Sequence, residues 1–324
     1  MRGVWGAVAA LALWSGSVQA QPLAPAPAQM GKVALTFDDL PGLSLFNDQA
    51  WVDFINRELL RGLRRNHMPA IGFVNESKLD DGVRVRQINN LKLWLNAGKD
   101  LGNHTFSHES PNDLGAAGYI ADIAKGEPVT RQLLAERGRK IGWFRHPYLE
   151  TGAPEPVKRA INDWLTKHGY RIAPVTIDAD DWMFAEPYED ALARHDEARR
   201  LRVRKEYLEY TERAISWYQK ASDALFGRQI AFVMLLHDTR LNADSLDELS
   251  TILKRRNLKP VTLENAMRDP AYQTRDPYVG KDGIEWIERW SYELKKPLPW
   301  ASWKDAPKQI EDEYERLEND QHKD

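Results

Sequence analysis

Residues 32–39 read KVALTFDD, a short apolar run that ends in two adjacent carboxylates. A run of this length and character is typical of a buried strand. Further runs of the same kind alternate along the chain with amphipathic stretches, and Gly or Pro lies near many of the breaks. This alternation predicts a mostly parallel sheet, open or closed into a barrel. The predicted strands cover residues 32–37, 70–74, 101–104, 141–145, 170–177, 230–236 and 259–263, and the predicted helices cover 48–65, 85–97, 119–137, 154–168 and 245–256.

The composition is that of a globular protein, since 42% of the 324 residues are hydrophobic and 29% are charged. The formal net charge is −3, so no basic excess points to a nucleic-acid partner. The chain contains no cysteine, which excludes disulfides and thiolate metal ligands.

The first twenty residues differ from the rest of the chain. Arg2 is the only charge before the apolar stretch 4–14, and Val18-Gln19-Ala20 resembles a small-residue cleavage site. The stretch is too short to span a bilayer, so residues 1–20 are predicted to be a secretory signal peptide rather than an uncleaved anchor. We therefore expect a secreted or periplasmic protein with no stable membrane insertion after cleavage. Residues 21–31 are Pro/Ala-rich and are predicted to form an extended linker.

Two regions depart from the strand–helix alternation. Residues 186–227 are highly charged and are predicted to form one or two helices on the outside of the fold, with a lid at the substrate rim as the alternative. Residues 266–324 are predicted to form a helical extension. Its Trp286 and Trp290 are one helical turn apart, so core packing is favoured over a sugar-stacking platform.

The sequence HTFSH, residues 104–108, follows the third predicted strand. Helical or turn spacing puts His104 and His108 on one face. With one carboxylate of Asp38-Asp39 they form a three-ligand metal site and leave one acid over. This combination indicates hydrolysis by a metal-activated water with a carboxylate base beside it. Taken singly, the two acids could equally form a turn or cap a helix.

Three more polar segments follow predicted strands: FRHPY at 144–148, DADDW at 178–182 and LLHD at 235–238. In a (β/α) barrel the strand ends converge on one rim, where active sites lie. Residues far apart in sequence would therefore meet in one pocket.

The five segments, in this order, resemble the motifs of the polysaccharide deacetylases, also called NodB-like or carbohydrate esterase family four. The resemblance extends over about residues 32–263 and implies a distorted (β/α)7 barrel, with a catalytic domain at 32–265. It also implies removal of N-acetyl groups from a polysaccharide or oligosaccharide. The first motif departs from the family in being followed by Leu40-Pro41-Gly42, and the second and third have Thr105 and His146 where Ser and Pro are commoner.

The resemblance implies roles for the first group of site residues. Asp39, His104 and His108 would bind a divalent metal, and one carboxylate with two imidazoles suits Zn²⁺ although other divalent transition ions accept the same ligands. Asp38 would be the general base. Arg145 would pair with Asp38 and favour its ionised form.

The resemblance implies roles for the remaining site residues as well. His237 would protonate the departing amine, because an amide anion is a very poor leaving group. Asp178 is predicted to orient His237 and raise its pKa. The backbone N–H of Tyr148 would contact the developing oxyanion, and Trp182 and Leu235 would line an apolar slot for the acetyl methyl group.

Two alternatives stay open. An O-acetyl esterase, for instance on xylan, could use the same chemistry, and a carbohydrate-binding barrel without activity could have kept the metal. The glycan also stays open, since chitin oligomers, peptidoglycan and exported exopolysaccharides all carry N-acetyl groups.

Overall fold

A computed structural model of the chain describes Gly3 and residues 30–46 and 48–321. Apart from Gly3, the predicted signal peptide lies outside the described residues, as does the linker up to residue 29. The described part contains seven strands: β1 Gly31–Leu40, β2 Ala70–Val74, β3 Asp100–Asn103, β4 Trp143–Phe144, β5 Arg171–Ile172, β6 Ala231–His237 and β7 Leu258–Val261.

Eleven α-helices accompany these strands in the same part of the chain, and none of them combines the length and apolar character needed to cross a membrane. They are α1 Gln49–Arg65, α2 Arg84–Asn96, α3 Pro111–Lys125, α4 Pro128–Ala135, α5 Glu155–Lys167, α6 Asp181–Ala193, α7 Glu197–Phe226, α8 Arg240–Arg255, α9 Leu263–Ala266, α10 Trp286–Leu294 and α11 Lys308–Gln321.

All strand pairs are parallel, in the order β5-β4-β3-β2-β1-β6, and β7 also pairs with β1. One edge of β1 pairs with β6 over residues 32–38. The other edge pairs first with β7, over residues 31–34, and then with β2. The strand that ends in the two carboxylates is therefore the centre of the sheet, which explains why both of its faces are apolar.

The fifth strand differs from the prediction of one strand over 170–177. β5 itself pairs with β4, but Thr176 and Ile177 donate to the carbonyl of Val233 on β6. Pro174 lies between the two pairings and has no N–H for a ladder, so the chain changes partner there. Because this segment joins β5 to β6, the two ends of the sheet approach each other. The predicted distorted barrel of parallel strands is confirmed.

Side chains of β1 alternate between the helices and the barrel interior, as they must in a strand. Val33, Leu35 and Phe37 belong to the large core under the helices. Ala34 belongs to a smaller cluster inside the barrel, with Val233 of β6. Thr36 and Asp38 share this interior face, which carries the polar groups of the site.

The prediction of one helix over 119–137 is wrong, because α3 and α4 are separate. Pro128 is the first residue of α4 and cannot continue a preceding helix. Gly126 ends α3 against the backbone of Thr105, where an added Cβ would lie 2.3 Å from the carbonyl carbon. The break therefore lets α3 support the loop that carries the two histidines.

The charged stretch 186–227 forms the end of α6 and all of α7. One face of α7 is buried, and charges on the other face form ion pairs, among them Arg199 with Asp190. The extension after residue 265 shares the main core, in which Trp286 and Trp290 are buried. Core packing of these two indoles, favoured from their spacing, is confirmed.

Candidate active site

The structure brings the three predicted metal ligands together at the carboxyl ends of β1 and β3. Oδ1 of Asp39 lies 3.5 Å from Nε2 of His108 and 3.7 Å from Nε2 of His104. One ligand atom from each residue lies within 4.8 Å of the other two. Asp39 and His104 are buried and His108 is partly open to solvent, so the site has one accessible side.

Asp38 and Asp39 both face the site because the pairing of β1 with β2 is irregular between Phe37 and Leu40. Neighbouring side chains of an extended strand point to opposite faces. Asp39 has a φ of +64°, in the left-handed region, so its side chain does not follow the alternation of an extended strand. Asp38 keeps strand geometry and is paired in register with His237 of β6.

The histidine motif forms a turn and not a helix. Thr105 and His108 have φ angles of +67° and +62°, which reverse the chain at both ends of the motif. The Thr105 N–H donates to Oδ1 of Asn103 at 2.7 Å, and the Thr105 hydroxyl accepts from the His108 N–H at 3.0 Å. Asp122 of α3 accepts from the backbone N–H groups between them. These hydrogen bonds hold the backbone of the motif in one conformation and so set the positions of both imidazoles.

Hydrogen bonding and burial set the ligands in the charge state that a metal needs. Nδ1 of His104 lies 2.9 Å from the carbonyl oxygen of Arg145, which can only accept, so Nε2 carries the free lone pair. Burial lowers the pKa of both His104 and His108. Burial also acts to raise the pKa of Asp39, but His108 and Lys78 hold it below its usual range.

A divalent cation fits this donor set. Oδ1 of Asp39 is buried and has no hydrogen-bond partner among the described residues, although buried carboxylate oxygens are normally satisfied. The same atom faces both imidazole nitrogens. An anionic oxygen with two neutral nitrogens is a frequent ligand set for transition ions.

Asp38 is held by a fully buried arginine. Nη1 of Arg145 donates to both carboxylate oxygens of Asp38, at 3.0 and 3.2 Å, and Nη2 donates to the hydroxyl of Thr36. Burial raises the pKa of Asp38 to about 6, against the opposing effect of Arg145 and then His237. A carboxylate with this pKa is ionised at neutral pH and still accepts a proton readily, as a general base requires.

The predicted partner of His237 is wrong, because Asp181 and not Asp178 contacts it. Oδ1 of Asp181 lies 2.8 Å from Nδ1 of His237, and Oδ2 accepts the His237 backbone N–H at 2.7 Å. Burial acts against protonation, but Asp181 raises the pKa of His237 to about 9. Asp178 instead accepts the N–H of Asp180 in the turn before α6.

Asp181 is itself fixed by α7 and α8. Asn242 donates to its Oδ2 and to the carbonyl oxygen of His237. Tyr207 donates to Oδ1 of Asn242 at 2.7 Å. Sequence reasoning missed Asn242 and Tyr207, since neither lies near a motif and only the fold brings them to Asp181.

The C-terminal extension supports the loop that contains Tyr148. Tyr148 has a φ of +54°, and its ring contacts His108 edge-on at 4.5 Å between centroids. Gly283 packs against this loop so closely that an added Cβ would lie 1.6 Å from the Tyr148 carbonyl oxygen. The buried Arg289 donates to the carbonyl oxygen of Leu149 at 2.7 Å. Nothing in the motif pattern pointed to these two residues.

The two predicted pocket residues lie in different surroundings. Leu235 is buried with Leu149 and Val175. The Trp182 indole contacts Tyr314 of α11 edge-on, with 5.0 Å between ring centroids. Tyr314 is thus a further aromatic side chain near the site, contributed by the last helix.

Comparison with known proteins was consistent with these motifs. The sequence model of the family described as Polysaccharide deacetylase matches residues 26–173, which include Asp38, Asp39, both histidines and Arg145. A peptidoglycan-N-acetylglucosamine deacetylase of Bacillus cereus is 25% identical over 156 residues. The match covers 48% of this chain and 48% of that protein, so the chain spans about half the length of the curated relative.

Two solved structures are similar to the barrel. A CE4 family pseudoenzyme from Bacillus anthracis has a TM-score of 0.50 at 19% identity, with 76% of this chain and 70% of that chain covered. A family 4 carbohydrate esterase from Streptomyces lividans has a TM-score of 0.48 at 20% identity, with 74% and 97% covered. The first supports the fold. The matched segment 26–173 is similar to the polysaccharide deacetylase family and carries the first three of the ordered motifs.

Proposed function

We propose that this protein is a metal-dependent hydrolase that removes N-acetyl groups from an N-acetylated glycan. One arrangement carries the proposal: Asp38 lies between the Asp39–His104–His108 cluster and a histidine held protonated by Asp181. A site that only binds sugars needs neither a general base nor a general acid. Here Asp38 and His237 are both largely buried, and the pKa of each is raised in the direction that its role as base or acid requires.

The residues divide the work as follows. A Zn²⁺ or similar divalent ion held by Asp39, His104 and His108 would activate a water and stabilise negative charge on the acetyl oxygen. Asp38 accepts the proton of the attacking water, while Arg145 keeps the carboxylate aimed at it. The Tyr148 N–H is the proposed second donor to the oxyanion.

His237 donates the final proton to the leaving nitrogen. Since its pKa is raised to about 9, it holds that proton at neutral pH. An amide needs this proton more than an ester does, because an amine leaves far less readily as an anion. A protonated His237 therefore meets the requirement of N-deacetylation, on which the xylan-type O-acetyl esterase reaction depends less.

Two observations support a substrate class: the similarity to the family, and the curated relative, which is named as a peptidoglycan-N-acetylglucosamine deacetylase. We propose a peptidoglycan-, chitin- or exopolysaccharide-type glycan outside the cytoplasm. Residues 1–20 would direct this export, by the charge and length of their apolar stretch.

An acetate-release assay on defined glycans, with metal analysis of the same sample, tests the proposal. We expect Zn²⁺-dependent acetate release from an N-acetylated oligosaccharide and little from acetylated xylan. Preferential release from xylan would favour the esterase. If the protein binds glycans but releases no acetate from any of a broad panel with metal supplied, it is a carbohydrate-binding barrel without activity.

A further inference from the structure

A second concave site lies between α7 and the loop that precedes α11. It is a cavity of about 210 Å³, lined by Arg213, Trp217 and Lys220 of α7 and by Trp303 and Lys304 of the loop. Positions 213, 217 and 220 recur at helical spacing, so they form one face of α7. Pockets that enclose drug-sized ligands measure about 300–1,000 Å³, so this cavity suits one ring-sized group.

The three cations at this cavity have no anionic partner among the residues that the structure describes. Within the described residues, no carboxylate forms an ion pair with Arg213, Lys220 or Lys304, and all three side chains are exposed. None of the lining residues is acidic, and two acids beside them have other partners. Glu212 pairs with Arg255, and Asp305 accepts the indole N–H of Trp303 at 2.9 Å. The cavity therefore has a net positive lining that an anionic ligand would neutralise.

Indole rings form the apolar part of the same cavity. Trp217 and Trp303 meet edge-on, with 5.0 Å between centroids. Trp300 does not line the cavity but lies against Trp217, with 4.7 Å between ring centroids, and is 48% exposed. Flat aromatic faces beside hydrogen-bonding groups suit ligands with one apolar and one polar side, as a sugar ring has.

The cavity is close to the fourth motif without being part of the catalytic site. Tyr210 of α7 donates to Oδ2 of Asp180 at 2.7 Å, and its ring lies 6.3 Å from that of Trp303. One aromatic side chain thus separates the turn before Asp181 from the wall of the cavity.

We propose that this cavity binds a carboxylate-bearing sugar residue of an acidic glycan. The indoles would cover the apolar face of the ring, and the three cations would hold the carboxylate by charge-assisted hydrogen bonds. Neutral sugars lack the group that the cations need, and a bare anion lacks the ring that the indoles need. The site does not depend on deacetylation, so it can be tested by binding alone.

Calorimetric titration of the full chain, carrying Asp38→Asn to prevent turnover, tests the proposal. The ligands are a glucuronic acid oligomer, a neutral N-acetylglucosamine oligomer and inorganic phosphate. We expect the acidic oligomer to bind at 1:1 stoichiometry, with affinity that falls as salt rises. Lys220→Gln with Lys304→Gln should weaken this binding about tenfold or more, because each removes a charged donor. Trp303→Ala removes an indole that lines the cavity and should weaken this binding without changing its salt dependence.

The matched control is Lys140→Gln with Lys167→Gln, which removes two exposed lysines outside the cavity. It should leave the affinity unchanged. Three results would overturn the proposal: no binding of the acidic oligomer, equal weakening by the control pair, or phosphate binding as tight as that of the oligomer. Binding that survives the cavity substitutions would place the acidic oligomer elsewhere and would likewise refute it.

Discussion

His237 and Asp181 are joined by two hydrogen bonds, one through Nδ1 at 2.8 Å and one through the His237 backbone N–H at 2.7 Å. The carboxylate thus fixes both the imidazole and the end of β6. It also leaves Nε2 as the nitrogen available to a substrate.

The pH profile of activity tests this pair. His237 acts as an acid only when protonated, and its pKa is raised to about 9, so activity should persist to about pH 9 and fall above it. Asp181→Asn removes the main cause of that elevation. The alkaline limb should then move down toward the ordinary histidine value of about 6.5. Asp178→Asn is the control and should leave the limb in place; a shift in that variant instead would restore the original assignment.

The two adjacent aspartates should separate into base and ligand. Asp38→Asn preserves the shape of the side chain and should lower kcat about 10²–10⁴-fold, the usual contribution of a general base, with metal content unchanged. Asp39→Ala removes an anionic ligand and should lose the metal. Kinetics paired with metal analysis of each variant distinguishes them, and full turnover in the Asp38→Asn protein would refute its role.

Loss of the buried arginine should destabilise the barrel. Arg145→Met leaves the Asp38 carboxylate buried beside an apolar side chain, and breaking a buried ion pair in this way costs about 3–5 kcal/mol. Denaturant unfolding measures the loss. Arg159→Met is the control, since its exposed pair with Glu155 is worth at most about 1 kcal/mol. Equal stability of the two variants would contradict this account of Arg145.

Gly283 lies in the C-terminal extension, and adding a methyl group there should lower the catalytic rate. Its Cβ would lie 1.6 Å from the Tyr148 carbonyl oxygen, so the loop with the proposed oxyanion donor must move. Gly283→Ala should lower kcat about 10²-fold or more, as loss of such a donor does, while metal stays bound. Gly142→Ala meets no atom within 4 Å and should retain activity. Wild-type kcat in the Gly283 variant would show that the loop is not positioned from this side.

Tyr314 tests whether the last helix shapes the substrate site. Its ring packs on Trp182, so Tyr314→Ala should raise KM for a glycan more than it lowers kcat. Tyr314→Phe keeps the ring and should stay near wild type. Steady-state kinetics on one N-acetylated oligosaccharide makes the comparison, and equal KM values in all three proteins would exclude a role for the ring.

Much of the site was predictable because the carboxyl ends of parallel strands meet at one rim. Asp38, Asp39, His104 and Arg145 are all within two residues of a strand end in the structure, and His108 lies five residues after the end of β3. The hydrophobic pattern of the sequence identifies the strand ends. That is enough to predict that the five motif segments lie close together, even when the loop conformations are unknown.

The assignment of Asp178 failed for a local reason. Residues 178–181 read DADD, so three carboxylates compete, and the choice depends on the turn before α6. Asp180 has a φ of +46° there, which rotates Asp181 toward β6. The hydrophobic pattern of the sequence does not predict the backbone conformation of such a turn. Gly283, Arg289 and Tyr314 were missed because they reach the site only through tertiary packing of the extension.

Asp38 and His237 are register neighbours on adjacent strands, whose spacing is about 4.8 Å. The separation between proton acceptor and proton donor is thus built into the hydrogen-bond ladder of the barrel, not into its loops. Segments around the rim can lengthen, shorten or change residues while this separation stays constant. Such a scaffold allows preference for one glycan over another to evolve without rebuilding the hydrolytic step.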